Sequence, residues 1–327
     1  MSNGLIGKYI LEYILDIVLA LAISAVATAA LIPFLHKLKF GQQIREEGPQ
    51  AHLKKAGTPT MGGIGFLLAI LVCGIIFLVV SRDVRMVPVL LLTLLFGLIG
   101  FIDDFLKIVK KQSEGLNPKQ KLLLQVAVAV AFIIILYAFG LGSSLRIPFL
   151  GREVHIPAPI FIFIALCAIL GTDNAVNFTD GLDGLCSTVT VFTALFFAIA
   201  SIRIRGGVEF VCFAGVGALI GFLIFNRHPA KVFMGDTGSL ALGGLIAGSA
   251  LMLRMPLYIL IVGLIYLIEI LSVVIQVTYF KKTGGKRIFR MTPIHHHFEL
   301  GGWSENKVVA VFSGITLILC VIGTLAT

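Results

Sequence analysis

The sequence predicts an all-α integral membrane protein with about ten transmembrane helices. Its mean hydropathy is +1.02, and only 13% of its 327 residues are charged. Solid apolar runs recur along the whole chain, and most approach the roughly 20 helical residues that cross a bilayer core. A membrane β-barrel needs alternating polar and apolar residues. Helices are therefore the spanning structure that this chain can form.

The apolar runs leave no room for a soluble second domain, so we expect one polytopic membrane domain over residues 1–327. The first run has no small-residue cleavage site, and we do not expect a cleaved signal peptide. The predicted spans cover approximately residues 14–35, 62–80, 87–102, 122–140, 158–171, 186–202, 208–225, 238–253, 256–280 and 307–325.

Basic residues alternate between the predicted loops. The loops after odd-numbered spans hold 18 Lys and Arg, and the other side holds eight. The positive-inside rule then predicts that these loops are cytoplasmic and that both termini lie outside. The net charge of +9 forms no single patch, so we expect no nucleic-acid partner. The five cysteines are scattered and include no CxxC pair, so we expect neither disulfide bonds nor a zinc site.

Two predicted spans are unusual. Span 5 has too few apolar residues to cross a full bilayer core, so the polar segment after it should lie below the membrane surface. Span 9 contains three polar residues, which predict a bent or broken helix that faces protein: Glu269, Ser272 and Gln276. The loop 141–158 has the composition of a small hairpin.

Six of the eight aspartates lie where apolar runs meet the predicted cytoplasmic loops: Asp103, Asp104, Asp173, Asp180, Asp183 and Asp236. Carboxylates are scarce in a chain that is 58% hydrophobic. Gathering them at one membrane depth, beside lysines and histidines, builds a charged pocket. Such a pocket suits a divalent cation and a phosphorylated ligand.

Asp103 and Asp104 end predicted span 3. Neighbouring residues on a helix point about 100° apart, so one carboxylate can face a site while the other braces it or meets a cation. Lys107, one turn after Asp103, shares its face. A solvated helix end explains the same residues without function, and both interpretations stay open.

Polar side chains recur at every third position after span 5, in Asn174, Asn177, Asp180 and Asp183. Successive members share a helix face, and Gly181 and Gly184 let the backbone approach a ligand. Amides and carboxylates offer the donors and acceptors that a sugar or a base requires. Helix caps and turns would explain one or two of these residues, so the pattern favours function.

Asp236 allows two interpretations, an N-cap of span 8 or a ligand of Mg²⁺. Phe233 is either a stacking surface for a base or ordinary packing. The segment 57–63 (GTPTMGG) places backbone amides and hydroxyls beside Lys54 and Lys55, as a phosphate cradle would. A simple turn explains that segment equally well.

The consecutive residues His295, His296 and His297 point in different directions, which argues against one shared metal. Histidines that reach a diphosphate are the functional interpretation, and a polar loop is the alternative.

Five motifs, in order along the chain, resemble the polyprenyl-phosphate N-acetylhexosamine-1-phosphate transferase superfamily: GTPTMGG, FIDDFLK, NAVNFTDGLDGL, FMGDTGS and PIHHHFE. The resemblance covers essentially the whole chain. The intact GTPTMGG segment and the HHHFE ending favour the branch that acts on muramoyl-pentapeptide.

The resemblance implies that UDP-MurNAc-pentapeptide and undecaprenyl phosphate react, with Mg²⁺, to give lipid I and UMP in peptidoglycan synthesis. It further implies a multi-pass homodimer in the lipid bilayer of the bacterial cytoplasmic membrane. Its active site would face the cytoplasm, and nucleoside antibiotics that mimic uridine would inhibit it.

The resemblance also implies residue roles. Asp236 would be the principal Mg²⁺ ligand. The catalytic group would be Asp103, Asp104, Asp180, His295 and His296. The substrate-binding group would be Lys55, Thr60, Lys107, Lys119, Asn174, Asn177, Gly181, Leu182, Asp183, Phe233, Ser239 and His297, with Phe233 stacking on uracil.

Two other functions remain to be weighed. A sister transferase that uses UDP-GlcNAc would carry the same aspartate motifs. An ion-coupled transporter would need acids near the bilayer midplane and an inverted repeat, neither of which the sequence shows.

Overall fold

The computed structural model describes residues 3–37, 55, 57–110, 112 and 114–327. These residues form twelve α-helices and one two-stranded sheet. The helices, α1 to α12 in chain order, span Asn3–Lys37, Gly63–Ser81, Val87–Lys110, Pro118–Ala138, Ala158–Thr179, Leu185–Ile204, Glu209–Asn226, Gly235–Met252, Ile259–Val262, Leu264–Lys282, Ile294–Glu299 and Glu305–Leu325.

Over the described residues, nine helices are long and apolar enough to cross a membrane. They correspond to nine of the ten predicted spans, which confirms the expectation of an all-α integral membrane protein. The remaining predicted span, 238–253, falls on α8, which is not among the nine. The first turn of α8 is polar, and every residue from Thr237 onward is buried inside the protein.

Small residues let α3 and α5 approach the backbone of α8. A Cβ on Gly100 of α3 would lie 2.0 Å from the carbonyl oxygen of Asp236, and one on Gly243 of α8 would lie 2.4 Å from the Cα of Asp173. Because these separations are far inside contact distance, a larger residue would force the helices apart. The close packing brings the polar ends of three helices to one point.

The predicted ends of spans 3 and 5 are too early. The prediction stops at residues 102 and 171, where the apolar runs end, but α3 continues to Lys110 and α5 to Thr179. Backbone hydrogen bonds continue through the polar residues because their side chains find partners on neighbouring helices. Asp103 and Asp104 therefore lie within a helix and not at its end.

The predicted break in span 9 is confirmed. A one-turn 3-10 helix, Pro256–Tyr258, precedes the short α9, and α10 begins after Gly263. The three polar residues expected to face protein are all buried: Glu269, Ser272 and Gln276.

The two strands form the hairpin expected within 141–158. Strand β1 (Ser144–Arg146) pairs antiparallel with β2 (Glu153–His155). The hairpin joins the C-terminus of α4 to the N-terminus of α5. It therefore lies at the helix ends opposite to those that carry the clustered aspartates.

Candidate functional site

Three carboxylates meet where α3 packs against the N-terminus of α8. One oxygen from each of Asp103, Asp104 and Asp236 lies within 4.8 Å of the others. Asp103 and Asp104 are buried, and Asp236 is partly exposed. We call these three residues the acidic cluster. All of its donors are carboxylate oxygens, the ligand type that hard divalent cations prefer.

Asp104 fixes the start of α8. Its carboxylate accepts hydrogen bonds from the backbone N–H of Asp236 (3.2 Å) and of Thr237 (2.9 Å), and from the Thr237 hydroxyl (2.7 Å). A helix N-terminus has unpaired N–H groups and a partial positive charge, so this carboxylate stabilises it. Asp104 thus makes the bracing contact expected of one member of the Asp103–Asp104 pair.

Asp103 is held by the loop after α3 and by a lysine on the next turn. It accepts the backbone N–H of Leu116 at 2.8 Å and pairs with Lys107 at 2.6 Å. The Lys107 ammonium also lies 3.7 Å from Asp104 and 3.0 Å from Asp236. One cation therefore contacts all three carboxylates of the acidic cluster, and it shares the face of Asp103 as the sequence predicts.

Side chains from three helices contact the carboxylate of Asp236. One of its oxygens lies 3.0 Å from Lys107 and 2.9 Å from Lys121, and the other accepts the Asn177 amide at 2.9 Å. The N-cap of α8 is Met234, and Asp236 is inside the first turn. The interpretation of Asp236 as a simple N-cap is therefore wrong.

Lys121 is the cation that sequence reasoning missed. It lies in the first turns of α4, and its ammonium is 2.9 Å from Asp236. The predicted Lys119 is exposed, and its backbone N–H donates to the N-cap Asn117 at 3.0 Å. Residues two apart on a helix do not share a face, so α4 directs only one of the two lysines to the cluster. The role of Lys119 stays a prediction.

The last turns of α5 form a second wall of the site. Asn177 donates to Asp236 and, at 2.8 Å, to the hydroxyl of buried Ser239 in α8. Asn174, one turn earlier, faces Gln125 of α4 at 3.5 Å. The two asparagines share a face as predicted, but only Asn177 reaches the acidic cluster.

A second group of charges lies beyond α5. Asp183 pairs with Lys55 at 2.7 Å and with His228 at 3.0 Å, and Glu305 lies 2.6 Å and 3.1 Å from the same two partners. We call these four residues the ion-pair cluster. Burial would raise the pKa of Asp183, but the hydrogen bond from Lys55 and its other neighbours hold that pKa below its usual range. Lys54, the predicted companion of Lys55, lies outside the described residues.

No local pattern in the sequence points to His228 or Glu305. Each is an isolated polar residue in or near a loop, without a spacing that indicates a ligand. One ligand atom from each of Asp183, His228 and Glu305 lies within 4.8 Å of the others. Only the folded chain brings these distant segments together.

Asp180 lies between the two groups of charges. It ends α5 as the C-cap residue, and the buried Leu182 follows shortly after it. Burial raises the pKa of Asp180 well above its usual value, and the carboxylates of Asp236 and Asp104 add to the rise. The protonated form of this carboxyl group is therefore favoured more than that of an ordinary, exposed aspartate.

The segment 57–63 packs on the loop before α8. Backbone hydrogen bonds of 2.8 and 2.9 Å join it to Phe233, whose side chain is half-buried. A Cβ on Gly235 would lie 2.5 Å from an Asp104 oxygen and 2.7 Å from the Thr60 hydroxyl. Gly235, with φ +69°, therefore lets Thr60 approach the acidic cluster.

The three histidines diverge, as expected for consecutive residues. His295 is fully buried, its Nδ1 lies 3.0 Å from Glu269, and its Nε2 has no hydrogen-bond partner among the described residues. A Cβ on Gly181 would lie 2.2 Å from that Nε2, so the imidazole packs against the Gly181 backbone. His296 pairs with a glutamate of α11 at 2.8 Å, and His297 accepts a backbone N–H at 3.1 Å.

These contacts define what the site can do chemically. Carboxylates of the acidic cluster can hold a divalent cation, and the adjacent ammonium groups can bind phosphate oxygens. The amide and hydroxyl groups of Asn177, Ser239 and Thr60 supply neutral hydrogen bonds beside them. Positioning and charge stabilisation of this kind are what phosphoryl transfer requires.

Comparison with known proteins agrees with this chemistry. Residues 86–254 match the family described as glycosyl transferase family 4. That range includes α3, α5 and α8, which carry the acidic cluster and Asn177.

Curated relatives extend the similarity to nearly the whole chain. The phospho-N-acetylmuramoyl-pentapeptide-transferase of Listeria monocytogenes serotype 4b (strain CLIP80459) is 50% identical over 306 residues, which are 93% of this chain and 94% of the relative. A protein of the same name from Carboxydothermus hydrogenoformans is 51% identical over 300 residues, 89% and 91% of the two chains. Another from Clostridium botulinum (strain Alaska E43 / Type E3) is 50% identical over 313 residues, 95% of each chain. This chain therefore belongs to the phospho-N-acetylmuramoyl-pentapeptide-transferase family.

Proposed function

We propose that this chain transfers phospho-MurNAc-pentapeptide from UDP-MurNAc-pentapeptide to undecaprenyl phosphate, forming lipid I and releasing UMP. The observation that carries the proposal is Asp236, held by two lysines and adjacent to two further carboxylates. The name of the relatives identifies the transferred group. The charged residues of the site would position that group and stabilise the charge that develops during transfer.

We assign the acidic cluster to the cytoplasmic face of a bacterial cytoplasmic membrane, with both termini outside and residues 1–327 as one domain. The excess of 18 Lys and Arg over eight on alternate loops supports this orientation. Undecaprenyl phosphate stays in the bilayer, whereas the UDP-sugar is soluble. A site at helix ends, beside a membrane surface, is accessible to both.

Mg²⁺ fits the acidic cluster. The three carboxylates offer oxygen donors within 4.8 Å of one another, and the group contains no sulfur or imidazole that would select a softer metal. Asp236 would be the principal ligand, with Asp103 and Asp104 beside it. When bound, Mg²⁺ neutralises charge on the diphosphate.

We assign the nucleotide to the loop that follows α5. Gly181, Leu182 and Asp183 would surround the uracil, and Phe233 would stack on it. Uridine-like antibiotics would compete for this pocket. Asn174, Asn177, Asp180 and Ser239 would line the sugar and diphosphate path. The phosphate-binding group would be Lys55, Thr60, Lys107, Lys119, Lys121, His295, His296 and His297.

Direct transfer is the step that we favour. An oxygen of the lipid phosphate forms a bond to the β-phosphorus while the bond from that phosphorus to the bridging oxygen breaks, and UMP leaves with that oxygen. A phosphate monoester has a second pKa near 6, so the attacking oxygen is largely ionised at neutral pH. Asp103 would accept a proton from the fraction that is still protonated. We further propose that the protein acts as a homodimer.

A substrate comparison tests the proposal. Purified protein is incubated with Mg²⁺ and undecaprenyl phosphate, and with either UDP-MurNAc-pentapeptide or UDP-GlcNAc. We expect UMP and lipid I only with the first donor. Product from UDP-GlcNAc alone would indicate the sister transferase instead.

A further inference from the structure

The helix ends opposite the acidic cluster surround a partly open cavity of about 200 Å³. Its polar lining consists mainly of arginines, with one glutamate: Arg85, Arg146, Arg205, Arg254 and Glu153. We call it the arginine cavity. Helix α3 runs from this end to the acidic cluster, and at 1.5 Å per residue the distance from Val87 to Asp103 is about 24 Å.

The arginines of the cavity have more donors than the protein has acceptors. Glu153 pairs with Arg146 at 2.8 Å and also with Arg254. Two guanidinium groups offer ten N–H donors, whereas one carboxylate offers about four lone-pair positions. The Nε–H groups of Arg146 and Arg254 are buried without an acceptor among the described residues. The pair of arginines is therefore incompletely satisfied by the chain itself.

Of the other two arginines, Arg85 is paired with an acid outside the lining and Arg205 is unpaired within the described part of the chain. Arg85 is held by Asp83 at 2.6 Å and donates to the backbone carbonyl of Arg205 at 2.6 Å. The guanidinium of Arg205 has no ion pair or hydrogen bond among the described residues. A basic residue at the C-terminus of α6 is favoured by the helix dipole. That effect explains Arg205 alone and not four arginines around one cavity.

The rest of the lining is apolar and comes mainly from helix ends and the segments that follow them: Phe139, Leu141, Ile204, Met252 and Leu253. A cavity that is basic on one side and apolar on the other matches a phosphate carried on a lipid. Guanidinium groups also bind phosphate oxygens in planar, paired hydrogen bonds.

We propose that the arginine cavity binds a phosphate-type anion. Two sources share that chemistry, the headgroup of an anionic phospholipid and free inorganic phosphate. The site is separate from the transferase centre, because none of its residues contributes to the acidic cluster or the ion-pair cluster.

The double variant Arg205→Gln/Arg254→Gln tests the proposal in the purified full-length protein. It removes two positive charges but leaves Arg146 paired with Glu153. Arg152→Gln is the matched control, since Arg152 is exposed in the β1–β2 hairpin and does not line the cavity. The probes are phosphatidylglycerol, phosphatidylcholine and inorganic phosphate, and binding is read by native mass spectrometry and by the unfolding temperature.

We expect wild type and the control to bind phosphatidylglycerol at least about tenfold more tightly than phosphatidylcholine, as charge-assisted hydrogen bonds would give. The double variant should lose this preference while its transferase turnover stays within about twofold, because the sites are far apart. If inorganic phosphate instead protects wild type but not the variant, and phosphatidylglycerol shows no preference, the ligand is the free anion.

Equal behaviour of wild type and the double variant towards phosphatidylglycerol and towards inorganic phosphate would overturn the proposal. Should the double variant fail to fold, Arg205→Gln serves alone, because its side chain has no partner to lose. It should weaken the same preference, and an unchanged preference in that variant would also overturn the proposal.

Discussion

Replacing Asp236 by asparagine removes one negative charge from the acidic cluster and keeps the size of the side chain. Lys107 and Lys121 lose the oxygen that they share at 3.0 and 2.9 Å. Lys107 keeps its pair with Asp103 at 2.6 Å. The carboxamide of the new residue can still accept the hydrogen bond from Asn177.

The fold should survive this substitution. The side chains of Lys107 and Lys121 are 32% and 18% exposed, so water replaces part of what each loses. Two charge-assisted hydrogen bonds weakened in this way contribute together about 1–3 kcal/mol to the free energy of unfolding. At the start of α8, Asp104 accepts hydrogen bonds from two backbone N–H groups and the Thr237 hydroxyl, so these bonds do not depend on the substituted side chain.

Activity should fall much further than stability. Removing one preorganised charged group from a transfer site typically costs about 10²–10³-fold in turnover, and loss of the principal metal ligand adds to that. The assay is UMP release from UDP-MurNAc-pentapeptide and undecaprenyl phosphate across a Mg²⁺ titration. Asp83→Asn is the matched control, because it removes another ion-paired carboxylate at the opposite helix ends and should leave turnover unchanged. Near-normal turnover of Asp236→Asn at low Mg²⁺ would refute the assignment.

Phe233→Ala should weaken substrate and uridine-based inhibitors about 5- to 150-fold, because a stacked base contributes about 1–3 kcal/mol; unchanged inhibitor affinity in calorimetry would mean that the ring only packs. Lys121→Ala should lower turnover at least about tenfold more than Lys119→Ala, and equal losses would contradict the geometry. The folded-state pKa of Asp183 lies below its unfolded value, so its pairing with Lys55 stabilises fully above about pH 4 and is lost as the pH falls through the folded-state pKa. Asp183→Asn should therefore lower the unfolding temperature at neutral pH, with the difference shrinking only below about pH 4; no difference at neutral pH would disprove this.

Hydropathy was sufficient to predict most of the fold. Long apolar runs predicted ten spans, of which nine are helices of spanning length in the described part of the chain. Polar residues such as Glu269 predicted a bent or broken span 9 that faces protein, and the break lies at Gly263, before the buried Glu269. The ends of α3 and α5 were misplaced because polar side chains there are satisfied by other helices. Helix α8 is not an ordinary membrane span. Its glycines pack against other helices of the protein, and its first turn contributes Asp236 to the acidic cluster.

The residues of the candidate site that could be predicted are those whose type is rare in the surrounding sequence. Asp103, Asp104 and Asp236 stand out in an apolar chain, and the structure brings them together. Lys121 was missed because the choice between it and Lys119 depends on the rotation of α4. The partners His228 and Glu305 were missed because nothing in local spacing connects them to Asp183.

In the proposed mechanism, the acidic cluster brings an oxygen of the lipid phosphate directly to the β-phosphorus of the nucleotide sugar. Release of UMP by purified, lipid-phosphate-free enzyme, measured with Mg²⁺ and UDP-MurNAc-pentapeptide before and after addition of undecaprenyl phosphate, tests it most directly. Direct transfer predicts no UMP until the lipid phosphate is added, with Asp103→Asn recovering partly at high pH. A stoichiometric burst of UMP without lipid phosphate, lost in Asp103→Asn, would instead establish a covalent intermediate and rule out direct transfer.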